Sequence, residues 1–144
     1  MSDADHILIS LAPRYAESIL ERTKLVELRR RAMNVRVGAT VWLYAKLPVG
    51  SIVGRATVRA NHVLPPTTLW RRFGSVSGLS RVEFSNYFAG VPLGTALELT
   101  DCRRLTRSFS LESLRRFQHS FQPPQFFTRL SLGTPILTAM MDPV

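Results

Sequence analysis

The spacing between apolar runs limits the fold of this chain more than any other feature. Val41-Trp42-Leu43-Tyr44-Ala45 is followed, after Pro48-Val49-Gly50-Ser51, by a long alternating run from Ile52 to Val63. The connections at residues 31–41 and 47–51 are too short to hold the helical crossover that joins parallel neighbours. A doubly wound parallel sheet therefore fits poorly, and a small mixed barrel around one core fits better.

The rest of the chain supplies the other elements of such a barrel. Ile7 to Leu11 reads as a buried first strand, and Pro13 as the first residue of a helix running to Arg22, with Tyr15, Ala16, Ile19 and Leu20 on one face. Lys24 to Arg31 reads as the second strand and Val41 to Lys46 as the third. The fourth, Ile52 to Val63, has apolar even positions and places Arg55 and Arg59 on its outer face. A short helix capped by Thr67 or Thr68 holds Leu69, Trp70 and Phe73 and stops at Gly74. Ser80-Arg-Val-Glu83 is a capping-box signature, opening a helix whose Phe84, Tyr87 and Phe88 form a stripe. Strands resume at Thr95–Thr100 and Arg103–Phe109, Ser110 caps a helix over Leu111 to Phe117, and Pro123-Pro124 stops it. After Leu132 structural signals are few. The expected architecture is α+β, a mixed barrel of five or six strands with short inserted helices over residues 1–132, followed by a tail at 133–144.

At 144 residues, with 45% hydrophobic and 20% charged side chains, the chain suits one globular domain with a sizeable core. No apolar run approaches the roughly 20 residues of a membrane span. The polar start, Ser2-Asp3-Ala4-Asp5, does not read as a secretory leader. The lone Cys102 makes neither an internal disulfide nor a thiolate metal site, which points to a reducing cytoplasm. His6, His62 and His119 lack ligand spacing, no acidic cluster suggests a metal, and no motif calls for a cofactor. The net charge of +9 comes almost wholly from arginine, with only Lys24 and Lys46 as lysines. Arginine grips phosphate with a planar fork and stacks on bases, so the balance favours nucleic acid over a membrane. A genome-wide arginine bias is the bland alternative, and it explains the net charge less well.

Lys24-x-x-Glu27-x-Arg29 concentrates the chemistry. Glu27 and Arg29 are two apart on a strand, so they share a face and can orient one another; a purely structural ion pair is the competing reading. Lys24 has the opposite parity and joins them only if the turn before the strand is irregular. It is either a phosphate ligand, a desolvated base, or a solvated turn residue. Arg30 and Arg31 point to opposite faces, so at most one lines the same cleft. With Arg55, Arg59, Arg71 and Arg72 they would form a basic track. Trp42 and Tyr44 read as core; Trp70 is the better base-stacking candidate. Glu83 is assigned to its cap.

These pieces, in their order, resemble the ASCH family (activating signal cointegrator homology) of the PUA-like superfamily. The match runs from about Ile7 to Leu130. It comprises Ile7-Leu-Ile-Ser-Leu11, Lys24-x-x-Glu27-x-Arg29, Val37-Gly38 before Val41–Ala45, Ile52-Val-Gly54, Leu69-Trp70, Phe84-x-x-Tyr87-Phe88-Ala-Gly90, and Pro123-Pro124-Gln125-Phe126, similar to the family's closing Pro-Pro-Gln-x-Phe turn. The resemblance implies a small β-barrel with a cleft over the Lys24–Arg29 strand that binds RNA or a nucleotide; some relatives are amidohydrolases on acylated cytidine or ribonucleases. Two departures stand out. The family's glycine two residues before the motif lysine is Arg22 here, and the threonine of the cytidine deacetylases is Glu27.

The expected function is thus a nucleic-acid-binding module, RNA before DNA, using Lys24, Glu27, Arg29, Arg31, Arg55, Arg59, Trp70 and Gln125. The Gln125 amide would read a base edge as the turn closes over the cleft. The alternative is a small hydrolase on a modified nucleobase or on RNA, with Lys24 and Glu27 as catalytic candidates.

Overall fold

The structure, a computed structural model, describes residues 5–141. Its strands are β1 (His6–Leu11), β2 (Val26–Arg29), β3 (Thr40–Ala45), β4 (Ser51–Leu64), β5 (Gly94–Ser110) and β6 (Phe127–Arg129). They form one curled sheet in the order β2-β5-β4-β3-β1-β6. Only β1 and β3 pair in parallel; every other neighbour is antiparallel. The tight 46–50 connection makes β3 and β4 a hairpin, as its length requires. The fold is mixed α+β, a curled half-barrel of six strands among the described residues.

Curling arises in the two long strands. The β4–β5 register shifts at three places, and each extra residue bends its strand and increases its twist. At one of them β5 holds Asp101 at φ 50. The Thr95–Thr100 and Arg103–Phe109 runs are consequently one bent strand, not two.

Among the described residues five α-helices cover the sheet: α1 (Pro13–Leu20), α2 (Pro66–Phe73), α3 (Arg81–Tyr87), α4 (Leu111–Phe117) and α5 (Pro135–Met141). Every residue of β1 is buried because the sheet is covered on both faces. Odd positions Ile7, Ile9 and Leu11 join Val41, Leu43, Leu97 and Leu99 in an inner cluster closed by Ala16 and Ile19 of α1 and by Met33 and Val35. Leu8, Trp42, Tyr44 and Ile52 face the other way, against Leu114 of α4 and Ile136, Leu137 and Met140 of α5. A third cluster sets Val26, Leu28 and Ala96 against Leu69, Phe73, Phe84 and Phe88.

Several boundaries differ from those read in the sequence. Strand β2 begins at Val26 and ends at Arg29, so Lys24 precedes it and Arg30 and Arg31 follow it. Helix α1 ends at Leu20. Helix α2 is capped by neither threonine: it starts at Pro66 with Pro65 before it and no side-chain cap. Pro65 at the N-cap has no side-chain acceptor, and Pro66 at the first position is preset for the helix. The described part of the 133–144 segment carries α5, whose three buried side chains complete the second cluster. Its apolar pattern is only two turns long, too short to stand out.

Candidate nucleic-acid-binding site

The turn between α1 and β2 brings Lys24 to Glu27 and Arg29. After α1 the chain reverses through Arg22, held at φ 67, the left-handed region where glycine is at ease. The residue that replaces the family's glycine therefore keeps the turn instead of rearranging it. The guanidinium of Arg22 leaves the cleft and donates to Cys102 Sγ at 2.7 Å and to the Leu99 carbonyl at 3.4 Å. The amides of Thr23 and Lys24 both donate to the Ser18 carbonyl. This non-strand geometry removes the parity objection: Lys24 Nζ lies 3.7 Å from Glu27 Oε1.

On β2, Glu27 and Arg29 share the inner face, where Arg29 Nε donates to Glu27 Oε2 at 2.9 Å. Each Nη group also donates one of its two N–H. One Nη donates to the Phe126 carbonyl at 3.2 Å, the other to the Ser10 carbonyl at 3.3 Å. Thr95 stands opposite Arg29 in the ladder, and its buried Oγ1 has no hydrogen-bond partner. Lys24, Glu27 and Arg29 are only 3%, 5% and 9% exposed. Two cations share one carboxylate, so the buried group carries one net positive charge while all three are ionised.

Lys24 is enclosed by the 77–80 loop and α1. Its Nζ donates to the Ser77 carbonyl and lies 5.1 Å from the centre of the Tyr15 ring. Gly78 has φ +78, and a Cβ there would stand 3.2 Å from Lys24 Cδ. Both facts favour glycine beside the lysine stem. Burial pulls the Lys24 ammonium below its ordinary pKa and Arg29 adds to that, while Glu27 opposes it. The Ser80–Glu83 capping box forms with both of its bonds, so Glu83 fulfils its cap. Glu83 also pairs with Arg14 at 2.9 Å, tying α3 to α1. Tyr87 of α3 donates to the Leu28 carbonyl at 3.3 Å, and burial raises its phenol pKa.

At the rim, the Arg31 guanidinium carbon lies 4.3 Å from the Phe126 ring centre, and Arg30 donates to the Tyr87 carbonyl at 3.3 Å. Gln125 is exposed beside Phe126. Trp70 is half-buried in the third cluster, edge-on to Phe84, with Arg81 5.1 Å from its ring centre. Arg55 does not join the cleft. It stands opposite Trp42, which belongs to the second cluster, whereas Glu27 stands opposite Leu97 of the inner one. Directly opposed residues share a face, so Arg55 and Glu27 lie on different faces of the sheet. Arg59 is exposed at a register shift of β4, and Arg71 and Arg72 are exposed on α2. A continuous basic track is thus not assembled around the cleft. Trp42 and Tyr44 are core residues, 0% and 2% exposed.

Sequence reasoning missed Ser10, Ser77 and Phe126 because each contributes a backbone carbonyl, which leaves no side-chain signature. Tyr15 was legible only as part of an apolar helix face. Among the described residues no group of three His, Cys, Asp or Glu could hold a metal ion. No helix among them is long and apolar enough to cross a membrane.

No protein-family model matches the sequence. An ASCH domain-containing ribonuclease of Zymomonas mobilis is 37% identical over 128 residues, spanning 89% of this chain and 86% of that protein. This chain belongs to the ASCH family. The crystal structure of ASCH from Zymomonas mobilis agrees, with a TM-score of 0.89 at 36% identity over 95% of this chain and 96% of that one. Human THYN1 protein, in complex with 5-methylcytosine containing DNA, shares the fold at a TM-score of 0.61 and 10% identity, over 95% and 96% of the two chains. Lys24, Glu27 and Arg29, singled out in the sequence, are gathered by the fold into one buried group.

Proposed function

We propose that this ASCH protein binds RNA in the cleft over β2, with Lys24 and Arg29 holding a backbone phosphate. The observation that carries this reading is the unbalanced buried group: two cations and one carboxylate under the inner face. Burying charge is costly, and an ion pair is often replaceable by apolar side chains without loss of stability. A third, uncompensated charge is therefore poorly explained by stability alone. An anionic ligand would complete the pairing, with Glu27 orienting both cations. The exposed arginines around it would add counterion-release affinity. The cytoplasm, the ordinary place for a lone free thiol such as Cys102, is the compartment we assign.

A second reading, a ribonuclease, is favoured by the 37% identity to the Zymomonas mobilis enzyme and by the lowered pKa of Lys24. A lysine nearer neutrality exchanges protons more readily. In this reading Lys24, as the neutral amine, takes the proton from a ribose 2′-hydroxyl as that oxygen attacks the adjacent phosphorus. The P–O5′ bond breaks, the Lys24 ammonium returns the proton to the departing 5′-oxygen, a 2′,3′-cyclic phosphate remains, and Arg29 steadies the charge on the phosphate oxygens. RNA is then cut, while DNA of the same sequence, lacking that hydroxyl, is bound and left intact.

Labelled single-stranded RNA and its DNA counterpart, incubated with wild type and Lys24→Ala, separate these outcomes. RNA retained on a filter at low salt without cleavage supports the binder. Turnover of RNA alone, lost in Lys24→Ala, supports the ribonuclease. Neither retention nor cleavage at low salt would overturn the proposal.

A further inference from the structure

Phe126 falls at the variable position of the Pro123-Pro124-Gln125 turn, so the motif itself does not require an aromatic ring there. The structure nevertheless holds that ring in place on several sides. Its carbonyl accepts a hydrogen bond from Arg29 at 3.2 Å. Its ring meets Phe127 edge-on, 4.8 Å between centres with the planes at 70°, and Phe127 is fixed opposite Ile9 in the β1–β6 ladder. The ring stays half-buried. The Arg29 guanidinium carbon is 5.9 Å from its centre, and that of Arg31 is 4.3 Å away.

Arg31 lacks the carboxylate partner that several other arginines have. Arg14, Arg36, Arg103, Arg104, Arg116 and Arg129 are all paired with carboxylates. Arg31 is exposed and has no ion pair among the described residues; its contact is the Phe126 ring. A planar cation against a fixed aromatic ring occupies the position a stacked nucleobase would take. Every base has a π-face, and a guanidinium can stack on a base as readily as on a ring.

We propose that Phe126 and Arg31 form a base-stacking clamp at the mouth of the cleft: the exposed Arg31 side chain swings off the ring, and one unpaired base of a single-stranded RNA takes its place and is held between ring and guanidinium. This inference rests on the reading that the Lys24–Glu27–Arg29 group holds RNA phosphate. The Phe126 carbonyl bonded to Arg29 places the stacked base next to the phosphate site. Bases within a duplex keep their faces covered and cannot enter such a clamp. Stacking tolerates any base, so the clamp selects strandedness and not sequence.

The test uses Phe126→Leu, which keeps the backbone carbonyl on Arg29 and an apolar side chain against the inner cluster while removing the ring. Fluorescence anisotropy at low salt would measure binding of a labelled oligoadenylate and of the same chain made abasic. Loss of the stack is expected to weaken oligoadenylate binding by at least about fivefold, with abasic binding unchanged. A second readout needs no variant: a 2-aminopurine placed in the oligonucleotide should lose fluorescence on binding wild type. Equal oligoadenylate affinity for wild type and Phe126→Leu, or unquenched 2-aminopurine in the bound state, would overturn the clamp and leave the phosphate site standing. If Phe126→Leu fails to fold, the quenching result decides alone. No binding of either oligonucleotide to wild type would overturn the phosphate site, and the clamp with it.

Discussion

Glu27 has both carboxylate oxygens committed, one to Arg29 and the other facing Lys24. Removing its charge leaves two buried cations close together. Glu27→Gln is therefore expected to lower stability by about 3–5 kcal/mol, measured as the urea midpoint; an unchanged midpoint would show the group is not coupled. Lys24 makes a prediction of opposite sense. Its folded pKa lies below the ordinary 10.5, so between the two values the unfolded chain binds more protons at this site than the folded one. Stability contributed by this site thus rises with pH across that window. Lys24→Met abolishes the effect, so its stability relative to wild type should decline as pH rises through that window toward 10.5. A difference independent of pH would contradict the buried, charged lysine. Arg22 isolates backbone conformation: Arg22→Gly and Arg22→Ala both lose the contacts to Cys102 and Leu99, but only glycine is at ease at φ 67. The glycine variant should be the more stable by about 1 kcal/mol. At this scale the side chains of the site were legible in Lys24-x-x-Glu27-x-Arg29. Their carbonyl partners were not, because any residue type offers the same carbonyl and only the folded path selects Ser10, Ser77 and Phe126.

Elements were legible where local chemistry fixes them. The Ser80–Glu83 box forms as its spacing demands, with the Ser80 amide donating to Glu83 at 2.8 Å and the Glu83 amide to Ser80 Oγ at 3.1 Å. Ser80→Ala should cost about 1 kcal/mol. Thr67→Ala should cost almost nothing, because α2 has no side-chain cap. Equal losses in thermal unfolding would reassign the caps. Elements defined by long-range pairing were harder to read. Three-residue β6 exists because β1 offers it an edge. The break read between Thr100 and Arg103 is a bulge absorbed by the partner strand β4. Parity misled at Arg55: the alternation of β4 was clear, but which face would hold the cleft is set by how β2 joins β5, far away in sequence.

The whole molecule presents one barrel-like sheet covered on both faces, and the mixed architecture followed from connection lengths alone. Helix α5 is the exception, since its value lies in what it covers. Truncation after Leu132 would remove the buried Ile136, Leu137 and Met140 and should cost roughly 4 kcal/mol or more; a truncated chain as stable as wild type would make that segment a dispensable tail. In the proposed function the net charge of +9 would attract nucleic acid in general, and the buried group would localise it. The salt dependence of RNA binding separates the two contributions. Each phosphate neutralised on a single strand adds about 0.7 to the slope of log affinity against log salt. Measured for wild type and Lys24→Gln, binding should weaken steeply with salt in both, with the variant's slope shallower by about 0.7. Identical slopes would show that Lys24 holds no phosphate, and would contradict the assignment of the RNA backbone to this cleft.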